Sequence, residues 1–168
     1  MKSSTLVNDV SQENRTGHPV TQHLQREVAN AFVLYGNYKH YHWQMYGPLF
    51  HDLHLMFDEF AKEVLESVDE LAERIRMIGQ DIQSVQLKQM QDAASVHCAQ
   101  AGQTPREMLE EAAANLLVVI KGMREAAKAA DEHGDPGSVD LFSKTVRMHE
   151  KHEWFLRQVL KKKDGLTA

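Results

Sequence analysis

Residues 39–79 read KHYHWQMYGPLFHDLHLMFDEFAKEVLESVDELAERIRMIG. Gly47-Pro48 is a break, and Pro48 suits the first turn of a new helix. From about Leu49 to Ile78 the pattern is helical, with no internal Gly or Pro. Leu53, Phe57, Phe60, Val64, Val68, Leu71, Ile75 and Ile78 share one face, an ordinary core stripe. Glu59, Glu63, Glu66 and Glu70 share another, which reads as solvated. Between the two runs a third stripe, His54, Asp58, Asp69 and Glu73, interleaved with Ala61, Leu65 and Ala72. Small and apolar neighbours imply an interface. Carboxylates in an interface need something positive to meet them.

The spacing says what that is. His54 and Asp58 are one turn apart, as are Asp69 and Glu73. Asp58 and Asp69 are separated by about 16 Å of helix axis, whereas metal–ligand bonds are about 2 Å. One chain therefore does not easily bring both pairs to one ion. The four positions are, however, symmetric about a point between residues 63 and 64. If two copies of the helix pack antiparallel about a dyad there, His54 faces the second copy's Glu73, and Asp58 its Asp69. An isologous contact of this kind makes two identical sites, each built from both chains, roughly 22 Å apart. His42 lies upstream, near where the second helix begins. Taken alone, a histidine there is more often a satisfied core residue. Added to the stripe, it gives two imidazoles and three carboxylates, a set that suits Fe(II), Mn(II) or Zn(II) rather than Cu(I) or Ca(II). Either carboxylate pair alone would ordinarily be solvated; the symmetry and the apolar interleaving argue for metal.

The segments HWQMYGPLFHDLHLMFDE and DELAERIRMIG closely resemble the signature of the Dps family, miniature ferritins named for DNA protection during starvation. The resemblance runs from about Leu24 to Leu160. It implies an all-α, ferritin-like four-helix bundle with a short extra helix in the long crossover between the second and third helices. It implies that His42, His54 and Asp58 of one subunit, with Asp69 and Glu73 of its twofold mate, form a ferroxidase centre. Trp43 would lie near the iron, with Lys39 close by. The family oxidises Fe(II), generally with hydrogen peroxide in preference to dioxygen, and stores Fe(III) mineral inside a hollow homododecamer. The expected function is thus iron storage and protection against oxidative stress, with iron as substrate and zinc as a possible occupant of the same site. The alternative is a DNA-binding, nucleoid-protective protein with little ferroxidase activity.

The rest of the chain fits a single domain. Its 168 residues suffice for a real core. A net charge of −5 argues against generic polyanion binding. The single cysteine, Cys98, excludes an internal disulfide framework and suits a reducing cytoplasm. No apolar run is long enough to cross a membrane. Residues 1–20 read as a polar tail in which Lys2 and Arg15 are balanced by Asp9 and Glu13. That tail lacks the lysine-rich character used by DNA-binding relatives, so DNA binding is expected to be weak or absent. The bundle is expected over 21–162, with a short tail at 163–168.

The first helix, about Val20 to Tyr46, would pack through Leu24, Val28, Phe32, Tyr35, Lys39 and His42. Ile82, Val85, Leu87 and Met90 suggest the short crossover helix, and His97-Cys98 read as loop. Thr104-Pro105-Arg106-Glu107 has the form of a capping box with proline at the first helical position. The third long helix would run to about His133, burying Met108, Leu109, Ala112, Leu116, Val119, Ile120 and Met123. Gly134 stops it and Asp135-Pro136 starts the fourth, which would reach about Lys162 and bury Leu141, Thr145, Met148, His152, Phe155 and Val159.

No Glu is followed three residues later by His. The paired Glu-x-x-His sites of intra-subunit di-iron bundles are therefore missing. His149 and His152 are one turn apart; they are structural, or one of them supplies an extra ligand to the metal or binds a second metal nearby. Glu132, Asp135 and Asp140 cluster at the last turn, where the resemblance implies a threefold pore. Lys161-Lys162-Lys163 is the only basic run and suits a helix C-terminus.

Overall fold

The computed structural model describes residues 17–83 and 86–161. Residues 1–16 of the polar tail, Val85 of the crossover, and Lys162 and Lys163 with the rest of the C-terminal tail lie outside the described residues. Five helices follow in order: α1 (Thr21–Gln44), α2 (Phe50–Met77), α3 (Leu87–Ala93), α4 (Pro105–Glu132) and α5 (Pro136–Val159). Their ends fall within about two or three residues of those expected from the caps and breaks. No strand occurs among the described residues.

Two helical hairpins make the bundle. α1 packs along α2, α4 along α5, and α3 lies on α1. Gly47, at φ 94°, turns the chain between α1 and α2. Thr104 caps α4 as its sequence demands: its Oγ1 accepts from Glu107 N at 3.3 Å, and Glu107 Oε2 accepts from Thr104 N at 2.7 Å. At the other end Gly134 takes φ 66°, and the Asp135 side chain accepts from Ser138 N to open α5.

The expected core faces of α2 and α4 are buried almost residue for residue; only Val68 is half-exposed. Those of α1 and α5 are rotated by one position. On α1 the fully buried residues include Leu24, Ala31, Leu34, Tyr38 and Tyr41, while Phe32, Tyr35, Lys39 and His42 run along the margin. On α5 the buried stripe is Ser138, Phe142, Thr145, His149, His152 and Leu156, with Leu141, Met148, Phe155 and Val159 beside it. In both helices the apolar arc is wide, and apolarity alone does not choose which edge faces inward.

The crossover is held by three asparagines on the long helices. Asn37 donates to His97 O at 2.7 Å and accepts from Ala99 N. Asn115 brackets His97 from α4, accepting from its N–H and donating to its carbonyl. Asn30 accepts from Ser95 N at 2.7 Å and donates to Glu27 Oε2 at 2.9 Å. These contacts satisfy backbone groups that a buried loop would otherwise leave unpaired.

Glu27 is fully buried between α1 and α4. Burial pushes its carboxyl pKa up, against the Asn30 and Arg26 contacts. It fits only because α4 carries Gly122 opposite: a Cβ there would stand 2.7 Å from Glu27 Oε1. Gly122→Ala is therefore expected to lower stability by about 1–3 kcal/mol, the usual cost of overpacking, read as a lower thermal midpoint.

Candidate metal centre

α1 ends and α2 begins side by side, so His42 and His54 meet across the hairpin. Their rings stack at 3.7 Å between centroids. Each ring's Nδ1 points at the other residue's backbone carbonyl: His42 Nδ1 to His54 O at 2.7 Å, and His54 Nδ1 to His42 O at 2.8 Å. A carbonyl only accepts, so both Nδ1 atoms carry the proton. In the neutral rings the lone pairs then reside on Nε2, the state a metal ligand requires. The reciprocal pair fixes tautomer and ring orientation together.

One turn further along α2, the Asp58 carboxylate is grasped on both oxygens. Lys39 Nζ lies 2.8 Å from Oδ1, and Lys62 Nζ 2.7 Å from Oδ2. The two ammonium groups hold the Asp58 carboxyl well below the usual carboxylate range. Asp58 is thus always ionised at neutral pH. Lys39 also lies 5.7 Å from the centroid of the Trp43 ring, and Trp43 is 68% exposed. Lys39 and Trp43 thus stand beside Asp58 and His42.

Asp69 and Glu73 are elsewhere. Both are exposed, about three and four turns beyond Asp58 along α2, and neither forms a side-chain hydrogen bond or ion pair among the described residues. No group of three or more His, Cys, Asp or Glu within one chain is placed to hold a metal, again among the described residues. The five expected ligands thus form two separate groups, His42, His54 and Asp58 where α1 meets α2, and Asp69 and Glu73 further along α2. On the same helix Leu55 and Leu65 are 52% and 43% exposed.

Two expectations are corrected. His149 and His152 do not join this edge. Both rings are fully buried in the bundle. His152 stacks on Phe60 at 3.9 Å and donates from Nε2 to Glu63 Oε2 at 2.7 Å. Both nitrogens of His149 are buried without a hydrogen-bond partner among the described residues. Burial lowers the His149 pKa to about 3 and the His152 pKa to about 4, the latter against the pull of Glu63. They are core residues, and the extra-ligand expectation for them is dropped. Asp135 is also removed from any pore lining. It is buried, caps α5, and binds Arg74 Nη2 through Oδ1 at 2.5 Å. An Asp before the first residue of a helix is committed to orphan N–H groups. Glu132 and Asp140 are exposed, Glu132 with Lys128 at 3.7 Å.

Two further pairings escaped the sequence. Glu63, assigned to the wet face, accepts from both His152 and Lys151. Burial raises its carboxyl pKa, but these two contacts bring it below the ordinary value. Tyr41, buried one residue before His42, donates to Glu111 Oε1 at 2.5 Å. Neither pair has a periodic signal, because each joins helices far apart in the chain.

Comparison with known proteins agrees with this fold. The family model described as ferritin-like domain matches residues 21–165. The DNA protection during starvation protein 1 of Deinococcus radiodurans is 32% identical over 162 residues, covering 94% of this chain and 76% of its own. The X-ray structure of Dps from Thermosynechococcus elongatus superposes with a TM-score of 0.85 at 41% identity, covering 96% of this chain and 98% of that one. Dps from Vibrio cholerae O1, described as a member of a broad superfamily of ferritin-like diiron-carboxylate proteins, gives a TM-score of 0.80 at 27% identity over 91% of this chain and 92% of its own. With the ferritin-like model matching nearly the whole described chain and Dps proteins similar to it in both sequence and structure, the chain belongs to the Dps branch of the ferritin-like family.

Proposed function

We propose that this protein is a ferroxidase and iron store whose catalytic sites lie between subunits. The observation that carries the reading is the division of the donor set. His42, His54 and Asp58 are gathered at one end of α2, while Asp69 and Glu73 stand exposed and unpaired about 16 Å away. An antiparallel copy of α2 brings the two halves together twice. The relatives' descriptions as Dps and diiron-carboxylate proteins point the same way.

In this reading Fe(II) is the substrate, and zinc, which accepts the same donors, competes for the site. Two Fe(II) each give up one electron. One hydrogen peroxide takes both, its O–O bond breaks, and the oxygens leave as water or hydroxide. No hydroxyl radical is released, which is the protective value of oxidising iron in pairs. Fe(III) then hydrolyses, releasing protons, and collects inside a dodecameric shell. His42 and His54 hold the metal through Nε2. Asp58, Asp69 and Glu73 balance its charge in both oxidation states. The reading also places the protein in the cytoplasm; among the described residues no helix is long and apolar enough to cross a membrane. A net charge of −5 per chain, multiplied over a shell, leaves DNA binding weak at physiological salt.

The test is anaerobic addition of Fe(II) followed by peroxide, with sedimentation of the same sample. Near-ultraviolet Fe(III) absorbance should grow far faster than in protein-free buffer, and the sedimenting species should be a dodecamer. A monomer, or growth no faster than in buffer, overturns the reading.

A further inference from the structure

We propose that Lys39 is the counter-cation of the metal-free centre, and that an incoming divalent ion exchanges with it at Asp58. The inference rests on the metal-centre reading above. Both Asp58 oxygens are occupied by ammonium groups, from Lys39 at 2.8 Å and Lys62 at 2.7 Å. The two imidazoles are ready to bind, but the carboxylate is not. A metal ligated by Asp58 must therefore displace an ammonium.

The two lysines differ in what they can do next. The Lys62 side chain is 73% exposed and returns to water. The Lys39 side chain is only 21% exposed, so loss of its carboxylate partner would leave a partly buried charge. α1 supplies a second resting place. Trp43 is one turn along, at i+4, and its ring centroid is already 5.7 Å from Lys39 Nζ, within the range of a cation–π contact. A small rotation of the lysine stem moves the ammonium from the carboxylate to the indole face. Lys39 thus keeps the empty site compact and its three-carboxylate charge partly neutralised. It competes with an incoming cation for the Asp58 carboxylate. It is a positioning residue, acting through Asp58.

The probe is Zn(II), which binds without redox chemistry, titrated into the assembled protein carrying Trp154→Phe so that Trp43 alone reports. Binding is followed by calorimetry and by Trp43 emission. In this background Zn(II) should change the emission in step with occupancy, as the ammonium arrives at the ring. Lys39→Met and Lys39→Gln should each bind the Asp58-linked Zn(II) roughly three- to tenfold tighter, the range expected for losing a partly exposed ion pair and its repulsion of the metal. The emission change should disappear in both. Lys39→Arg should stay near the parent, and Lys62→Met should tighten binding by less than Lys39→Met. A merely structural Lys39 would give weaker binding on removal, so unchanged or weakened Zn(II) affinity in both Lys39→Met and Lys39→Gln overturns the proposal. His54→Ala with Asp58→Ala separates the two levels. Zn(II) binding that survives this double change sinks the metal-centre reading. Binding that is lost there, with Lys39 variants like the parent, sinks only the Lys39 exchange.

Discussion

Two inactive variants, co-expressed in equal amounts, are expected to restore about a quarter of the wild-type ferroxidase rate. The first variant carries His54→Ala and Asp58→Ala. The second carries Asp69→Ala and Glu73→Ala. Each alone should lose fast Fe(II) oxidation, by on the order of a hundredfold or more, as expected when a metal loses ligands essential to its site. Far-ultraviolet dichroism should be unchanged, because all four side chains lie on the half-buried or exposed edge of α2 and alanine favours helix. In a mixed dimer, one site combines both damaged halves and the other combines both intact ones. Random pairing makes half the dimers mixed, and half of their sites are whole, hence the quarter. If all ligands came from one chain, every site would be damaged and mixing would restore nothing. The stopped-flow rate of the mixed preparation, normalised to protein, decides between the two.

The spacing behind that expectation is legible in the sequence: the pairs His54–Asp58 and Asp69–Glu73 are equidistant from the centre of α2, as a site split across a dyad would require. The Thr104 capping box and the Gly134-Asp135-Pro136 stop and start were legible because they are local rules, satisfied within four residues. What escaped notice is non-local. The Lys39 and Lys62 clamp on Asp58 requires knowing where α1 sits against α2. The three asparagines that hold the crossover join residues 18 to 65 positions apart. Glu63 was assigned to solvent because it shares a face with Glu59, Glu66 and Glu70, yet α5 brings His152 and Lys151 against it. The rotation of the α1 and α5 core faces has the same origin. Periodicity finds an apolar arc, but neighbouring helices choose its centre. On α5 that choice puts His149, polar in sequence, at the bottom of the core, and leaves the apolar Leu141 at its edge.

His149 makes the bundle acid-sensitive, and its replacement should show this directly. Its ring is wholly buried, and neither nitrogen has a hydrogen-bond partner among the described residues. Burial lowers its pKa from 6.5 to about 3, with the neighbouring His152 pushing the same way. The groups around it are the His152 ring at 6.1 Å on its own helix and, beyond that ring, Glu63 of α2 and Tyr38 of α1. The native state therefore binds its proton later than the unfolded chain. Below pH 6.5 the unfolded chain is protonated and the native ring is not, so stability falls as pH drops toward 3. Between pH 7 and pH 4 this group alone removes about 3 kcal/mol. His149→Leu should abolish that share. At pH 7 the variant should be as stable as the parent or more so, since it deletes two unpaired buried nitrogens, each costing about 1–3 kcal/mol. At pH 4 it should exceed the parent by about 3 kcal/mol beyond any difference at pH 7. Urea unfolding at both pH values measures this. The carboxylates common to both proteins cancel in the comparison, and His152, with its Glu63 partner, is present in each. An equal loss of stability in parent and variant would mean that His149 is already protonated or hydrated in the fold. The acid sensitivity would then belong to His152 and the surface carboxylates instead.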